Sequence, residues 1–332
     1  MSAEHPFAQY VRIIGKGPRL SRPLTEDEMS EAAGMILDGL VEPVQLGAFL
    51  CVLRVRTEEP GECAGFIRAV RRRLAPAPEP PAADLDWPSN AGKARRPPWY
   101  LLAALLLAAN GVRVCMQGAE GHTEGRLYTP QVLRRLGIPL AGSIEEAAGH
   151  IAERNFAYLP LSALSPRLQE IIDLRPVLGL RSPINTFARM INPCAARYEF
   201  QTIFHPGYRD VHRQAAKLLG QPHMAVFKGE GGEAERRPDK PVLVQSLHQG
   251  MEEEEEWPPM LAPGEAGKEQ NLDPERLAAV WRGSEEDAYA TAAITGTAAI
   301  ALRLMGRAGG VDEALAAAGA MWEGRDKERL GT

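Results

Sequence analysis

The sequence predicts an α + α/β protein. It divides into a small N-terminal helical domain over 1–75, a proline-rich linker over 76–84 and a larger α/β domain over 85–332 with a mostly parallel central sheet. Three observations predict this. Residues before 75 carry helix-start signals and apolar spacing of period 3.6, without strand patterning. The stretch APAPEPPAAD then interrupts the pattern with semi-rigid, extended chain. Beyond it, helical stretches alternate with short strand-like runs, the order of a parallel sheet flanked by helices.

The elements follow in order. Thr25 and Glu28 form a capping-box pair, and Met29, Ala32, Ala33, Ile36, Leu37 and Leu40 then repeat at helical spacing. Pro43 suits the first turn of a second helix that carries Leu46, Phe49, Leu50 and Leu53. A third begins after Thr57, with Phe66, Ile67, Val70 and Leu74 on its apolar side. In the second domain, helices are expected at 99–110, 129–136, 143–153, 164–173 and 207–219. Strands are expected at 112–116, 156–159, 200–204, 224–229 and 241–245, and two Ala-rich helices at 284–305 and 311–323 close the chain. The run GMEEEEEWPP at 250–259 reads as a solvated polar loop.

Composition narrows the function class. Apolar residues are 45% and charged residues 24% of 332, the make-up of a globular protein with a sizeable core. Cys51, Cys63, Cys115 and Cys194 lack metal-type spacing and read as small buried hydrophobes in a reducing compartment. Neither a signal peptide nor an apolar run of about 20 residues is present, so a cytoplasmic protein without a membrane partner is expected. The net charge of −5 argues against nucleic acid, but its distribution does not. From Arg54 to Arg135 there are 13 Lys and Arg against 8 Asp and Glu, and from Glu230 to Asp287 there are 6 against 16. Halves of opposite sign point to one face built for an anionic partner.

The stretch LTEDEMSEAAGMILDGLVEPVQLGAFLCVLRVRTEEPGECAGFIRAVR is similar to the helical domain of anthranilate phosphoribosyltransferase, in the glycosyltransferase family 3 superfamily that includes class II pyrimidine nucleoside phosphorylases. GLRSPINTFARMINP at 179–193 resembles the family's G-x-R-T-x-F-N-x-x-G-P-x-x-N-P stretch. It keeps Arg181, Asn185, Asn192 and Pro193, but has Ala188 and Arg189 where Gly-Pro is expected. HPGYRDVHRQAAKLLG and AVFKGEGGEAE extend the resemblance. It implies the nucleoside phosphorylase-like fold and a helix-mediated homodimer.

The resemblance fails at the loop that binds phosphoribosyl pyrophosphate. Glycines there let backbone N–H groups approach a diphosphate. The matching residues here are Trp87, Pro88, Ser89, Asn90, Ala91 and Gly92, followed by Pro97–Tyr100, with Trp87 expected to fill the diphosphate space. The family's Lys-His-Gly-Asn is Met116-Gln117-Gly118-Ala119, and its adjacent Asp-Glu pair for magnesium has become Glu233-Ala234-Glu235. WPSNAGKARRPPWYLLAALLLAANGVRV and KGEGGEAERRPDKP look like the YbiB-type branch, which binds nucleic acid without sequence preference.

The expected function is therefore non-sequence-specific DNA or RNA binding by a transferase-fold homodimer, with transferase activity lost. Lys93, Arg95 and Arg96 are expected to point outward from a proline-bounded loop, joined by Arg126, Lys228, Arg236 and Arg237 in contacting phosphates. Arg71, Arg72 and Arg73 suit the end of their helix, and Trp99 and Tyr100 either pack inside or stack on bases. His122, His205, His212 and His223 lack metal-ligand spacing and read as structural or exposed. No catalytic residue and no cofactor is expected. Magnesium enters only if activity remains, with Glu233 and Glu235 as its candidates. The alternative is a divergent glycosyl- or phosphoribosyltransferase with an unknown acceptor, for which Arg181, Asn185 and Asn192 speak. A protein-interaction dimer using the acidic 251–256 stretch is a third reading.

Overall fold

The computed structural model describes residues 4–79, 81–121, 123–262, 265 and 271–330, so His122 lies outside the described residues. Its N-terminal layer begins with α1 (Ala8–Gly15), a helix the sequence reading passes over although Phe7, Tyr10 and Ile14 share a face. Next come α2 (Glu26–Leu37), α3 (Pro43–Arg56) and α4 (Pro60–Arg71). The capping box of Thr25 and Glu28 is present, and Pro43 and Pro60 open their helices where a missing N–H costs nothing. Glu62 is fully buried and accepts from Leu24 N and Glu59 N, each at 2.9 Å, and from Arg56. Helices α2 and α4 touch through Gly65, where a Cβ would lie 2.2 Å from Glu26 O.

After the linker, β1 (Leu85–Pro88), α5 (Trp99–Ala109), β2 (Val114–Gly118), α6 (Thr129–Arg135), α7 (Ile144–Arg154) and β3 (Phe156–Pro160) build one half of the sheet. The chain then returns to the helical layer as α8 (Leu161–Leu164), α9 (Pro166–Asp173), α10 (Arg175–Leu178) and α11 (Ile184–Phe187). These share a core with the N-terminal helices, with Phe187 stacked on Phe66 at 4.4 Å. The second half of the sheet follows as β4 (Tyr198–Ile203), α12 (Tyr208–Leu218), β5 (His223–Lys228), β6 (Val242–His248) and β7 (Met251–Trp257). Helices α13 (Glu275–Arg282), α14 (Ala288–Leu304) and α15 (Val311–Glu323) end the fold.

The strand order is β3-β2-β1-β4-β5-β6-β7. The first five run parallel, and β6 and β7 are antiparallel additions. The predicted α + α/β class is the observed one. Side chains alternate along each strand, so the two sheet faces differ. One is apolar: Leu85, Trp87, Met116, Tyr158 and Phe200 pack with α5 and α14. The other, toward the helical layer, buries Asp86, Cys115, Gln117, Glu199 and Gln201 completely.

Two expectations change, those for Trp87 and the acidic run, and the expected packing of Trp99 and Tyr100 is observed. Trp87 belongs to β1, where its ring meets Phe200 edge-on at 4.6 Å; it sits in the apolar core, away from any diphosphate space. Trp99 and Tyr100 are fully buried, which settles them as packing residues. The acidic run is strand β7 instead of a loop. Gln249 and Gly250 both have positive φ and join β6 to β7 as a two-residue hairpin turn. Alternate glutamates then meet cations on opposite faces, Glu252 and Glu254 facing Arg213, and Glu253 and Glu255 facing Arg303. Charge on an edge strand also blocks edge-to-edge association.

The α2–α4 contact tolerates no added atom. Gly65→Ala is expected to lower stability by about 1–3 kcal/mol through overpacking, measured by urea denaturation.

Candidate functional site: a filled loop and an arginine cleft

The loop after β1 turns its backbone donors inward. Glu233 Oε1, from the β5–β6 connection, accepts from Ala91 N at 2.6 Å and Gly92 N at 2.5 Å. Glu235 accepts from Lys93 Nζ at 2.5 Å and from Tyr100 N, at the start of α5, at 2.9 Å. Amides at a loop and a helix N-terminus, with a lysine beside them, are the donors that would otherwise hold a phosphate. In this chain two of its own carboxylates occupy them. Both glutamates are fully buried, and burial pushes their pKa values up, against the pull of Arg189 on Glu233 and of Lys93 on Glu235. Arg126 closes the arrangement from the other side, donating to Ala91 O, Gly92 O and Gly231 O at 2.9–3.3 Å.

The expected outward-facing basic face is not assembled. Lys93 is 1% exposed and held by Glu235, because the loop's prolines and its pairing with Leu127 fold it inward. Arg96 is buried with its guanidinium 3.6 Å over the Tyr289 ring. Arg236 is fully buried beside Trp257 and donates to Pro258 O, and burial lowers its pKa to about 10. Arg237 is tied to Asp239 at 2.8 Å and lies 3.6 Å from Glu230. Arg126 turns Nη1 to the loop carbonyls. Only Arg95 and Lys228 of the seven are exposed. Arg71, Arg72 and Arg73 likewise serve the fold, through Glu199 and Ile191 O, Ser30 and Asp38.

A different basic site lies between the helical layer and the C-terminal end of β4. It is a cleft of about 240 Å³ lined by Arg54, Arg126, Arg181, Asn185, Arg189 and His212, among others. Arg181 donates to Thr123 Oγ1 at 3.2 Å, and its pKa falls to about 10, first through burial and then through Arg126 and Arg175. Arg189 follows α11 in a short 3₁₀ turn; it is 8% exposed, and its Nη1 has no hydrogen-bond partner. Neither arginine forms an ion pair among the described residues. Arg189 stands where the family has Gly-Pro, and only the fold shows that this residue carries a guanidinium to the cleft.

His212 was expected to be structural or exposed; it is 1% exposed and lines the cleft. Its Nδ1 lies 2.7 Å from Gln201 Oε1, and Gln201 Nε2 donates to Glu199 at 2.6 Å. Gln201 therefore presents its carbonyl, which makes Nδ1–H the donor and leaves Nε2 as the lone-pair nitrogen. Burial, and then Arg189, pull the imidazole pKa down to about 3, so the ring is neutral at pH 7. Elsewhere, His205 is exposed and His223 faces His248 across β5 and β6 at 3.3 Å.

At the magnesium candidates, Glu233 Oε1 and both Glu235 oxygens accept from chain donors, while Glu233 Oε2 is buried without a hydrogen-bond partner. Among the described residues no group of three His, Cys, Asp or Glu is placed to hold a metal ion. The buried ion pair gives a direct test. Glu235→Ala leaves Lys93 charged and unpaired and is expected to cost about 3–5 kcal/mol in urea denaturation. Lys93→Met together with Glu235→Gln keeps an acceptor for Tyr100 N and is expected to recover most of that loss.

Comparison with known proteins agrees with this layout. The family model described as the glycosyl transferase family helical bundle domain matches residues 8–74, and that family's a/b domain matches 100–324. The anthranilate phosphoribosyltransferase of Gluconobacter oxydans is 30% identical over 232 residues, 69% of this chain and 63% of that one. An uncharacterized protein of Aquifex aeolicus is 29% identical over 231 residues, 69% of this chain and 70% of its own length. Among solved structures, the anthranilate phosphoribosyltransferase of Thermus thermophilus superposes with a TM-score of 0.78 at 24% identity, over 98% of this chain and 97% of that one. The Saccharomyces cerevisiae enzyme in complex with PRPP and Mg gives 0.77 at 16%, over 99% and 96%. At these identities the structures share the fold alone. With its helical bundle and α/β domains both matched, this chain belongs to the glycosyl transferase family that includes anthranilate phosphoribosyltransferase.

Proposed function

We propose that this chain is a divergent glycosyl- or phosphoribosyltransferase whose anionic substrate is held in the arginine cleft instead of at the loop after β1. One observation carries the reading: buried Arg189 and half-buried Arg181 meet at one small cavity with no carboxylate within 4 Å among the described residues, Glu233 acting on Arg189 only from beyond that distance. Burying a guanidinium in that state costs several kcal/mol, a cost that a bound phosphate or carboxylate offsets. The volume of about 240 Å³ suits one small anionic ring or sugar phosphate.

Within such a ligand complex the side chains divide the work. Arg181 and Arg189 bind and orient the anion, and Asn185 offers an amide beside them. Neutral His212 accepts a hydrogen bond at Nε2 from an N–H or O–H of the attacking group. An anion paired with Arg189 also removes one of the two causes that depress the His212 pKa, so the imidazole becomes a better base when substrate is present. Because Glu233 and Glu235 occupy the loop donors, a diphosphate leaving group is not stabilised there by the family's usual contacts.

A second reading, single-stranded nucleic acid, draws on Phe204, which is 53% exposed beside the arginines, and on exposed Arg95 and Lys228. An aromatic next to cations suits a stacked base with its phosphate. The homodimer expectation is also kept as a proposal. Leu20, Leu40, Val44 and Val55 of the N-terminal layer are 59–82% exposed, an apolar surface that a second copy would cover.

Calorimetry with inorganic phosphate, diphosphate, phosphoribosyl pyrophosphate with magnesium, and aromatic carboxylates separates the readings, alongside anisotropy of a labelled oligonucleotide. At least one small anion is expected to bind, and Arg181→Ala to weaken it by roughly 10- to 100-fold, the loss of one charged hydrogen-bonding group. Oligonucleotide binding with no small-anion binding would favour the second reading. Binding of neither, or small-anion binding insensitive to Arg181, would overturn the proposal.

A further inference from the structure

Away from the cleft, two thiols meet inside the protein. Cys115 Sγ on β2 and Cys194 Sγ, in the segment before β4, are 3.2 Å apart although 79 residues separate them. Both are fully buried and free. We propose that Cys115 and Cys194 are a modification site, a dithiol that closes to an internal disulfide and fastens the segment carrying Arg189 to the central sheet.

The surroundings support bond formation. A disulfide needs an S–S separation near 2.05 Å, so the sulfurs have roughly 1 Å to travel. Cys194 sits between two non-glycine residues with left-handed backbone, Asn192 at φ 45° and Ala195 at φ 48°. Such conformations store strain and mark a segment held by its contacts. Here the holding contacts are the Asn192 bonds to Ala196, at 2.8 and 2.9 Å, and Gln221. Next to the segment lies a cavity of about 520 Å³ lined by Arg71, Asn192, Pro193, Ala195 and Ala196. A small reagent entering it reaches the residues on both sides of Cys194. Pro193 and Ala195 on either side of Cys194 line that cavity, whereas Cys115 lies inside strand β2, so Cys194 is the thiol a reagent reaches first.

The chemistry balances with a small-molecule disulfide as oxidant. Cys194 loses its proton to solvent, its thiolate attacks one sulfur, the S–S bond of the reagent breaks, and one thiolate leaves. Cys115 then loses its proton to the solvent-side leaving group and attacks the mixed disulfide at Cys194. The second thiol is released, so two protein thiols are oxidised and one disulfide is reduced to two thiols.

The position of the bond gives it a consequence. Gln117 Nε2 on β2 already donates to Ala188 O at 3.0 Å, beside Arg189. Cys115 lies two residues earlier on the same strand face, so a disulfide adds a covalent tie between that face and the 188–194 segment. Cys63 differs: it is buried in α4, and burial among three glutamates raises its pKa. Cys51 on α3 is half-buried, with no cysteine partner among the described residues.

The test treats the full chain with oxidised glutathione, alkylates the remaining thiols in denaturant and maps the peptides. The expected result is loss of two of the four thiols, a Cys115–Cys194 linked peptide and slower amide exchange over 188–197. Cys51→Ser is expected to leave this unchanged. Four alkylatable thiols after treatment, a link through Cys51 or Cys63, or glutathione retained on Cys194 without the internal bond would each overturn the proposal. An internal bond without slower exchange over 188–197 would overturn the fastening.

Discussion

The structure depends on the capture of four cationic or N–H donors by two buried carboxylates. Glu233 and Glu235 reach back 135–142 residues to Ala91, Gly92, Lys93 and Tyr100. They thereby fix the loop after β1, the start of α5 and the β5–β6 connection as one unit. Each bond is charge-assisted and withdrawn from water, the setting in which leaving one partner unsatisfied is most costly. The same contacts that stabilise this end of the sheet withdraw its phosphate donors from use. Fold stability and the departure from ordinary family chemistry thus have one cause.

A second constraint lies on the sheet face that meets the helical layer. Most parallel sheets in α/β proteins bury apolar side chains on both faces, but here Asp86, Gln117, Glu199 and Gln201 are fully buried on this one. The bonds of the last three run outward: Arg71 of α4 donates to Glu199, Gln201 donates to Glu199 and meets His212 on α12, and Gln117 donates to Ala188 O. Directional bonds of this kind place the helical layer more exactly than apolar contact would. The arginine cleft opens along this seam, so the polar layer sets both the domain packing and the tautomer of the histidine in the cleft.

Much of this was readable in the sequence, and what was not has physical reasons. Helix starts at Thr25, Pro43 and near Pro60 are local signals and occur where their caps predict. The alternation after the linker gave the α/β class for the same reason. Strand β1 escaped because it has four residues, ends in proline and carries Asp86 inward, all against strand patterning. Strand β7 escaped because five successive glutamates read as solvated chain, while the cations that pair with them on α12 and α14 lie 35–50 residues away. The basic cluster shows the same limit most clearly. Lys93, Arg96 and Arg236 look like surface charge in sequence, yet their partners Glu235, Tyr289 and Pro258 O are set by the fold. Arg181, by contrast, was legible through family resemblance, and Arg189 was visible as a departure whose meaning needed the cleft.

The central claim is that anions go to the arginine cleft because the loop is already filled from within. The most direct test is an electron-density map of crystals soaked in diphosphate. The account predicts a bound anion between Arg181 and Arg189, with Glu233 still bonded to Ala91 and Gly92. Diphosphate on the Ala91 and Gly92 amides, with Glu233 displaced and the cleft empty, would contradict it.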